Sequence, residues 1–244
     1  MYLLRIYLAA AILPAVALMI YVYKKDKTEQ EPVGLLAWCL LMGVCAAFLA
    51  IALEVVGENA LNFSGIQSGT PLYVMILAFL IVAVAEEGAK FLFLKLKTWK
   101  NPNFDYKFDG VVYAVFVSLG FAAFENVKYV FSYGLSVALP RAFLAIPGHA
   151  SFAVLMGVFY ARAKACHQQG DKVGQSINTA LALIVPMLLH GAYDTCAMLS
   201  TNIASITFLA VIFVVYFIMF FVVRKEAQTD FKFTDAGSTP PENL

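Results

Sequence analysis

The chain has 244 residues, 61% of them hydrophobic and 14% charged, with a formal net charge of +1. A soluble domain carries about 25% charged residues, so this composition, with a mean hydropathy of +0.78, points to an integral membrane protein. The sequence has no basic stripe suited to a phosphate backbone, which argues against nucleic acid as a partner. Its four cysteines, Cys39, Cys45, Cys166 and Cys196, form no CxxC pair, which argues against a disulfide framework or a cysteine-based zinc site.

A membrane-spanning helix needs about 20 predominantly apolar residues. The first apolar run, Ile6 to Tyr23, ends in Lys24-Lys25-Asp26-Lys27, a stop-transfer flank and not a signal-peptide cleavage site, so it reads as the first span. In chain order, spans are predicted over about 3–23, 33–55, 72–94, 109–130, 141–162, 177–199 and 203–223. Pro140, Arg141 and Pro147 interrupt the fifth, which leaves open an eight-element reading with a short surface helix near 135–145. The expected fold is an all-α polytopic membrane protein. Residues 1–223 form one transmembrane bundle, and 224–244 form a polar tail expected to be disordered.

Lys and Arg set the orientation. Lys24, Lys25 and Lys27 follow the first span, and Lys95, Lys97, Lys100 and Lys107 follow the third. Arg162, Lys164 and Lys172 follow the fifth, and Arg224, Lys225 and Lys232 lie in the tail. With seven alternating spans all four groups share one side, so the N-terminus is expected outside and the C-terminus in the cytoplasm. The opposite loops are nearly free of basic residues, with Lys128 and Arg141 near the outer rim.

The informative residues are those that resist insertion. Glu86, Glu87, Lys90, Glu125, His149, His190 and Asp194 all fall within predicted spans. An ionised side chain at mid-bilayer costs about 2.5–3.5 kcal/mol, so four unpaired carboxylates would cost on the order of 10–14 kcal/mol. They must be paired, protonated, hydrated or bound to a cation. Lys90 shares a helix face with Glu86 and Glu87, but a local Glu–Lys pair accounts for one glutamate, not two. Asp194 lies one turn after His190, where a carboxylate can fix an imidazole's tautomer. His149 follows Pro147-Gly148, a dipeptide that starts or kinks a helix. Glu125-Asn126 ends the fourth span, with Lys128 as the local partner for Glu125. Asp109 before Gly110 reads as a helix cap. Cys196 near His190 is a weak candidate nucleophile, and no Gly-x-Ser-x-Gly elbow is present. Counting residues puts the acids and imidazoles in a middle-to-outer layer, which implies a hydrated pocket open to the outside.

Such a set of residues supports two hydrolytic designs. Either His149, His190 and a carboxylate hold a divalent metal while a second glutamate takes the proton, or a glutamate activates water directly. The same residue types also build proton or cation pathways in transporters, although the internal repeats typical of transporters are not found. A non-catalytic adaptor would leave the cluster without a purpose.

In order, the chain carries Glu86-Glu87-Gly88-Ala89-Lys90 (EExxK) and Phe121-Ala122-Ala123-Phe124-Glu125-Asn126 (FxxxEN). Pro147-Gly148-His149 and His190-Gly191-Ala192-Tyr193-Asp194 (HxxxD) follow. Over roughly 80–195 this series resembles the PrsW intramembrane proteases, distant relatives of the CAAX prenyl endopeptidase and bacteriocin-processing superfamily. The spacing of Lys90, and Glu125 where that superfamily places a histidine, favour PrsW over a prenyl-protein protease. The resemblance implies an endopeptidase of the bacterial plasma membrane. Its expected activity is site-one cleavage of a membrane-anchored anti-sigma factor on the extracytoplasmic side. It also implies catalytic roles for Glu86, Glu87 and His190, with Glu125 and His149 in support. Lys90, Asn126 and Asp194 complete the expected set. A divalent metal, zinc first, is the candidate cofactor, with His149 and His190 as its ligands; the resemblance leaves the metal and glutamate mechanisms both open. Membrane-anchored substrate and lipid are the expected partners; the sequence leaves the oligomeric state open.

Overall fold

Seven of the apolar runs form helices long and apolar enough to cross a bilayer. The structure, a computed structural model, describes residues 2–199 and 201–233. The helices are α1 (Tyr2–Lys25), α2 (Val33–Phe63), α3 (Pro71–Thr98), α4 (Asp109–Tyr133), a short α5 (Ala138–Phe143), α6 (Ala145–Gln168), α7 (Lys172–Met198) and α8 (Asn202–Gln228). The described residues contain no strand, only an isolated bridge between Tyr106 and Lys232. The break foreseen in the fifth span occurs. Gly134 turns the chain at φ 84°, a conformation that costs glycine little, and a 3-10 turn (Leu135–Val137) leads into α5. The bundle therefore has seven spans and, in addition, the short helix of the alternative reading.

Local chemistry sets the helix starts. Thr70 accepts from the Tyr73 N–H at 3.3 Å ahead of Pro71, Asp171 from Gly174 at 2.9 Å, and Thr201 from Ala204 at 3.1 Å. Each satisfies an N–H that the helix itself leaves free. Asp109 behaves differently from the expected cap. Its Oδ2 accepts from the Asp105 and Tyr106 N–H groups, at 3.1 and 2.7 Å, and so ties down the loop before its own helix.

The spans are not equivalent. The most apolar stretches of the fourth and fifth are 72% and 67% buried, against 22% in the first and last. α4 and α6 thus form the centre, and the other helices cover them. Their close crossing depends on glycine: a Cβ on Gly157 of α6 would lie 2.5 Å from the Gly110 carbonyl of α4. Small residues allow such backbone contact in membranes. The Ser118 hydroxyl of α4 donates to the His149 carbonyl of α6 at 2.9 Å, and this fixes the start of α6. Large apolar side chains such as Leu13, Phe48, Leu80, Leu188 and Phe213 face outward, where lipid would cover them.

One end of the bundle carries the basic loops and the tail; the other carries α5. At the basic end α8 continues to Gln228, and the following residues pair with the loop between α3 and α4. Lys107 N–H donates to Phe231 O at 3.1 Å, Phe233 N–H to Asp105 O at 2.8 Å, and Phe108 N–H to Asp230 Oδ1 at 2.8 Å. Lys107 pairs with Glu226 at 2.8 Å, and Lys232 with Asp105 at 2.8 Å. The remaining tail, 234–244, for which disorder was expected, lies outside the described residues.

Beneath this pairing lie Asp26 and Glu31, both buried. Burial, with Asp230 close by, raises the Asp26 carboxyl from 3.8 to about 7, and burial raises Glu31 from 4.5 to about 7. The folded state therefore holds these protons more tightly than the unfolded chain does. Their stabilising contribution is complete below about pH 4 and is lost as pH rises toward 7. The thermal midpoint of the purified protein should fall over that interval. The slope should flatten in the Asp26→Asn/Glu31→Gln variant, and an equal slope in both proteins would refute the assignment.

Candidate active site

The site begins with an irregularity in α3. Residues Leu77–Val82 form a π-helical turn, after which the α-helix resumes at Ala83. Such turns rotate the residues that follow and are frequent at functional sites. Glu86 and Glu87 come next, and both are buried. α7 approaches this turn through Gly191, where a Cβ would overlap the Phe79 ring. The glycine beside His190 is therefore what lets the imidazole reach α3.

Lys90 lies at the centre of the cluster. Its Nζ is 3.0 Å from Glu86 Oε2, 2.7 Å from Glu87 Oε1 and 3.1 Å from His149 Nδ1. An ammonium has three protons and accepts none, so each contact uses one. The Phe121 ring closes the remaining side, with its centroid 4.0 Å from Nζ, a cation–π distance. Because Lys90 can only donate, His149 Nδ1 must accept, and its proton sits on Nε2. That nitrogen is 3.0 Å from Glu125 Oε2, a ready acceptor.

His190 is held in a similar way. Its Nδ1 is 2.9 Å from Glu87 Oε1, and its Nε2 is 3.3 Å from Asp194 Oδ2. Phe152 stacks on the ring at 4.8 Å, and the two imidazole centroids are 5.5 Å apart. Each imidazole thus has a carboxylate on Nε2 and turns Nδ1 inward. This is the arrangement that orients metal-bound histidines.

The structure brings Glu86, Glu87, Lys90, Glu125, His149, His190 and Asp194 together. Asn126 joins this group through Arg141, whose Nε donates to its Oδ1 at 2.8 Å. Its Nδ2 donates to the Ala11 carbonyl at 2.7 Å, so it ties α4 to α1. Cys196 is a free thiol outside the group of four convergent donors, and His167 is exposed. Lys128, the expected partner of Glu125, is also exposed. Arg141 of α5 takes its place, with Nη2 2.8 Å from Glu125 Oε2. A lone arginine in an apolar stretch needs a partner as much as a buried carboxylate does. That need is the signal in the sequence that points to Arg141.

Exposure follows a gradient. Glu86, Glu87, Lys90, His149 and His190 are at most 5% exposed, whereas the side chains of Glu125, Asp194 and Arg141 reach 19, 17 and 16%. The cluster is buried, and its most exposed members form a lip toward the α5 end. This is a more enclosed arrangement than the open pocket expected.

The donors fit a divalent metal. Glu86, Glu87, His149 and His190 each present a ligand atom within 4.8 Å of the others, and all four residues are buried. Two imidazoles and two carboxylates make a borderline-to-hard set suited to zinc and similar ions. Glu87 Oε2 is buried without a hydrogen-bond partner, a further acceptor for a cation.

The chain is similar to known proteins over most of its length. Residues 31–223 match a family described as PrsW family intramembrane metalloprotease. Over 187 residues the chain is 34% identical to Protease PrsW of Bacillus subtilis (strain 168), covering 77% of this chain and 80% of that protein. It is 31% identical over 210 residues to Protease PrsW of Clostridioides difficile (strain 630), covering 84% and 85%. No solved structure is significantly similar to the chain.

Breaking a buried ion pair on one side costs about 3–5 kcal/mol, because the partner charge is left uncompensated. Lys90→Met should lose that order of stability in detergent unfolding. Lys90→Met with Glu86→Gln and Glu87→Gln should recover much of it. Equal stability of the single variant and the wild type would show that the ammonium is not the counter-charge of the pair.

Proposed function

This chain belongs to the PrsW family of intramembrane metalloproteases and is a multi-pass, membrane-embedded protease of the bacterial plasma membrane, and from that premise we infer which residues carry the reaction. We propose that its catalytic centre is the Glu86–Glu87–His149–His190 cluster, with Glu86 as general base. The observation that carries this reading is the pair of imidazoles, each fixed by a carboxylate on Nε2, with His190 Nδ1 2.9 Å from Glu87 Oε1 and His149 Nδ1 3.1 Å from Lys90 Nζ and 3.9 Å from Glu86 Oε2.

His149, His190 and Glu87 would hold a divalent metal, most simply zinc. When bound, the ion supplies Lewis acidity and makes water a better nucleophile. Glu86 is the less enclosed glutamate, at 5% exposure against 0% for Glu87. It can therefore take a proton from water at the lip and return it to the leaving amine. Asp194 and Glu125 keep the two rings in register. Lys90 neutralises the glutamates. The enclosed floor limits access to water and to an extended segment of substrate.

The basic loops and tail support a cytoplasmic assignment for that end, which directs the lip outward. The substrate is a membrane-anchored protein cut on its extracytoplasmic side, and the family resemblance points to site-one cleavage of an anti-sigma factor.

Reconstitution with such a single-span substrate provides the test, with cleavage and bound metal measured together. Glu86→Gln should keep its metal and lose about 10²–10⁴-fold in rate. Glu87→Gln, His149→Ala and His190→Ala should lose the metal as well. An active wild type without divalent metal would overturn the metal assignment, and full activity in Glu86→Gln would overturn the assignment of the base.

A further inference from the structure

Arg141 lies outside all four motifs, on the shortest of the described α-helices named above, yet its guanidinium is held on three sides. Nη2 donates to Glu125 Oε2 at 2.8 Å, and Nε donates to Asn126 Oδ1 at 2.8 Å. The face of the group stacks on Tyr129, with Cζ 3.9 Å from the ring centroid. The helix that carries it is anchored on other sides too. Leu139 and Phe143 are exposed on its apolar face, and the Phe143 carbonyl accepts from the Tyr216 hydroxyl of α8 at 2.7 Å.

The oxygen that Arg141 grips is the one His149 uses. Glu125 Oε2 accepts from Arg141 at 2.8 Å and faces His149 Nε2 at 3.0 Å. Nothing else among the described residues holds the Glu125 carboxylate by hydrogen bond. We propose that Arg141 is a positioning residue: it fixes Glu125 so that Glu125 receives the Nε2–H of His149 and holds the ring with Nδ1, which accepts from Lys90, turned toward the donor cluster. This proposal rests on the reading of that cluster as the catalytic centre.

The physical reason is rotational. A carboxylate in a partly exposed lip can turn away from an imidazole and toward water. A charge-assisted bond from a planar guanidinium, itself clamped by Asn126 and Tyr129, removes that freedom. A lysine would supply the charge but neither the second planar donor nor the stacking face.

The chain has three histidines, so the nitrogen NMR spectrum of histidine-labelled protein in detergent resolves each ring. The His149 signal is assigned by its loss in His149→Gln. The wild type should show His149 protonated on Nε2. Arg141→Ala should keep that tautomer, which Lys90 dictates, but lose the downfield shift and slow solvent exchange of an Nε2–H held by the Glu125 carboxylate, which are the signature of the contact, and Arg141→Lys should retain part of that signature. In the Glu125→Gln background, removing Arg141 should change nothing further. Zinc affinity should fall about 10–100-fold in Arg141→Ala, as is typical when an outer partner of a metal-bound histidine is lost. An unchanged His149 signature in Arg141→Ala overturns the proposal. If the alanine variant does not fold, Arg141→Gln, which still offers donors to Asn126, is scored in the same way. A wild type that takes up no zinc but shows the Arg141-dependent signature overturns the metalloprotease reading of the cluster and leaves the Arg141 assignment standing.

Discussion

A single ammonium group, Lys90 Nζ, underlies the arrangement of the bundle interior. Two adjacent glutamates inside a membrane bundle would be a large penalty if left alone. Lys90 offsets it by giving one proton each to Glu86, Glu87 and His149. Since a lysine cannot accept, these three bonds also dictate how the neighbouring groups are protonated. His149 must keep its proton on Nε2, and Glu125 must receive it. The floor under the cation is the Phe121 ring, which ties α4 into the same contact. Four helices, α3, α4, α6 and α7, are thus committed to one geometry around one charge.

That geometry prepares the cluster for a second cation. A divalent metal would seek the same carboxylate oxygens and imidazole nitrogens that now surround the ammonium. Both histidines are already fixed from behind, by Glu125 and Asp194. Preorganised ligands of this kind avoid the cost of reorganisation when an ion binds. The enclosure serves the same end, because Glu86, Glu87, His149 and His190 are buried while Glu125, Arg141 and Asp194 are the members most open to solvent.

The two ends of the bundle solve different problems. At the α5 end, a short helix turns a guanidinium inward and apolar side chains outward, so the lip is both charged and membrane-compatible. At the basic end, the tail pairs with the loop between α3 and α4 and covers the carboxyls of Asp26 and Glu31. Burial raises those carboxyls to about 7, whereas Glu86, Glu87, Glu125 and Asp194 are matched with cations and imidazoles.

Much of this was readable along the chain, for reasons that are local or energetic. Spans follow from runs of apolar residues. The site residues stand out because a charge inside a span demands an explanation, so Glu86, Glu87, Lys90, Glu125, His149, His190 and Asp194 could be named before any fold was known. The His190–Asp194 contact followed from helical spacing alone. Partners distant in sequence could not be found in this way. Glu125 was matched with the nearest cation, Lys128, because spacing reports only neighbours on one helix; the cation that reaches it, Arg141, comes from a different helix. The π-helical turn that sets the direction of Glu86 and Glu87 has no signature in the apolar run Leu77–Val82. The pairing of the tail with the loop depends on backbone groups that every sequence has. The amino-acid sequence by itself determined which residues must be buried and which of them carry charge. Only the tertiary structure decided which charges meet, because that depends on where each helix crosses its neighbours, and a glycine such as Gly157 or Gly191 sets the crossing through contacts made across the bundle.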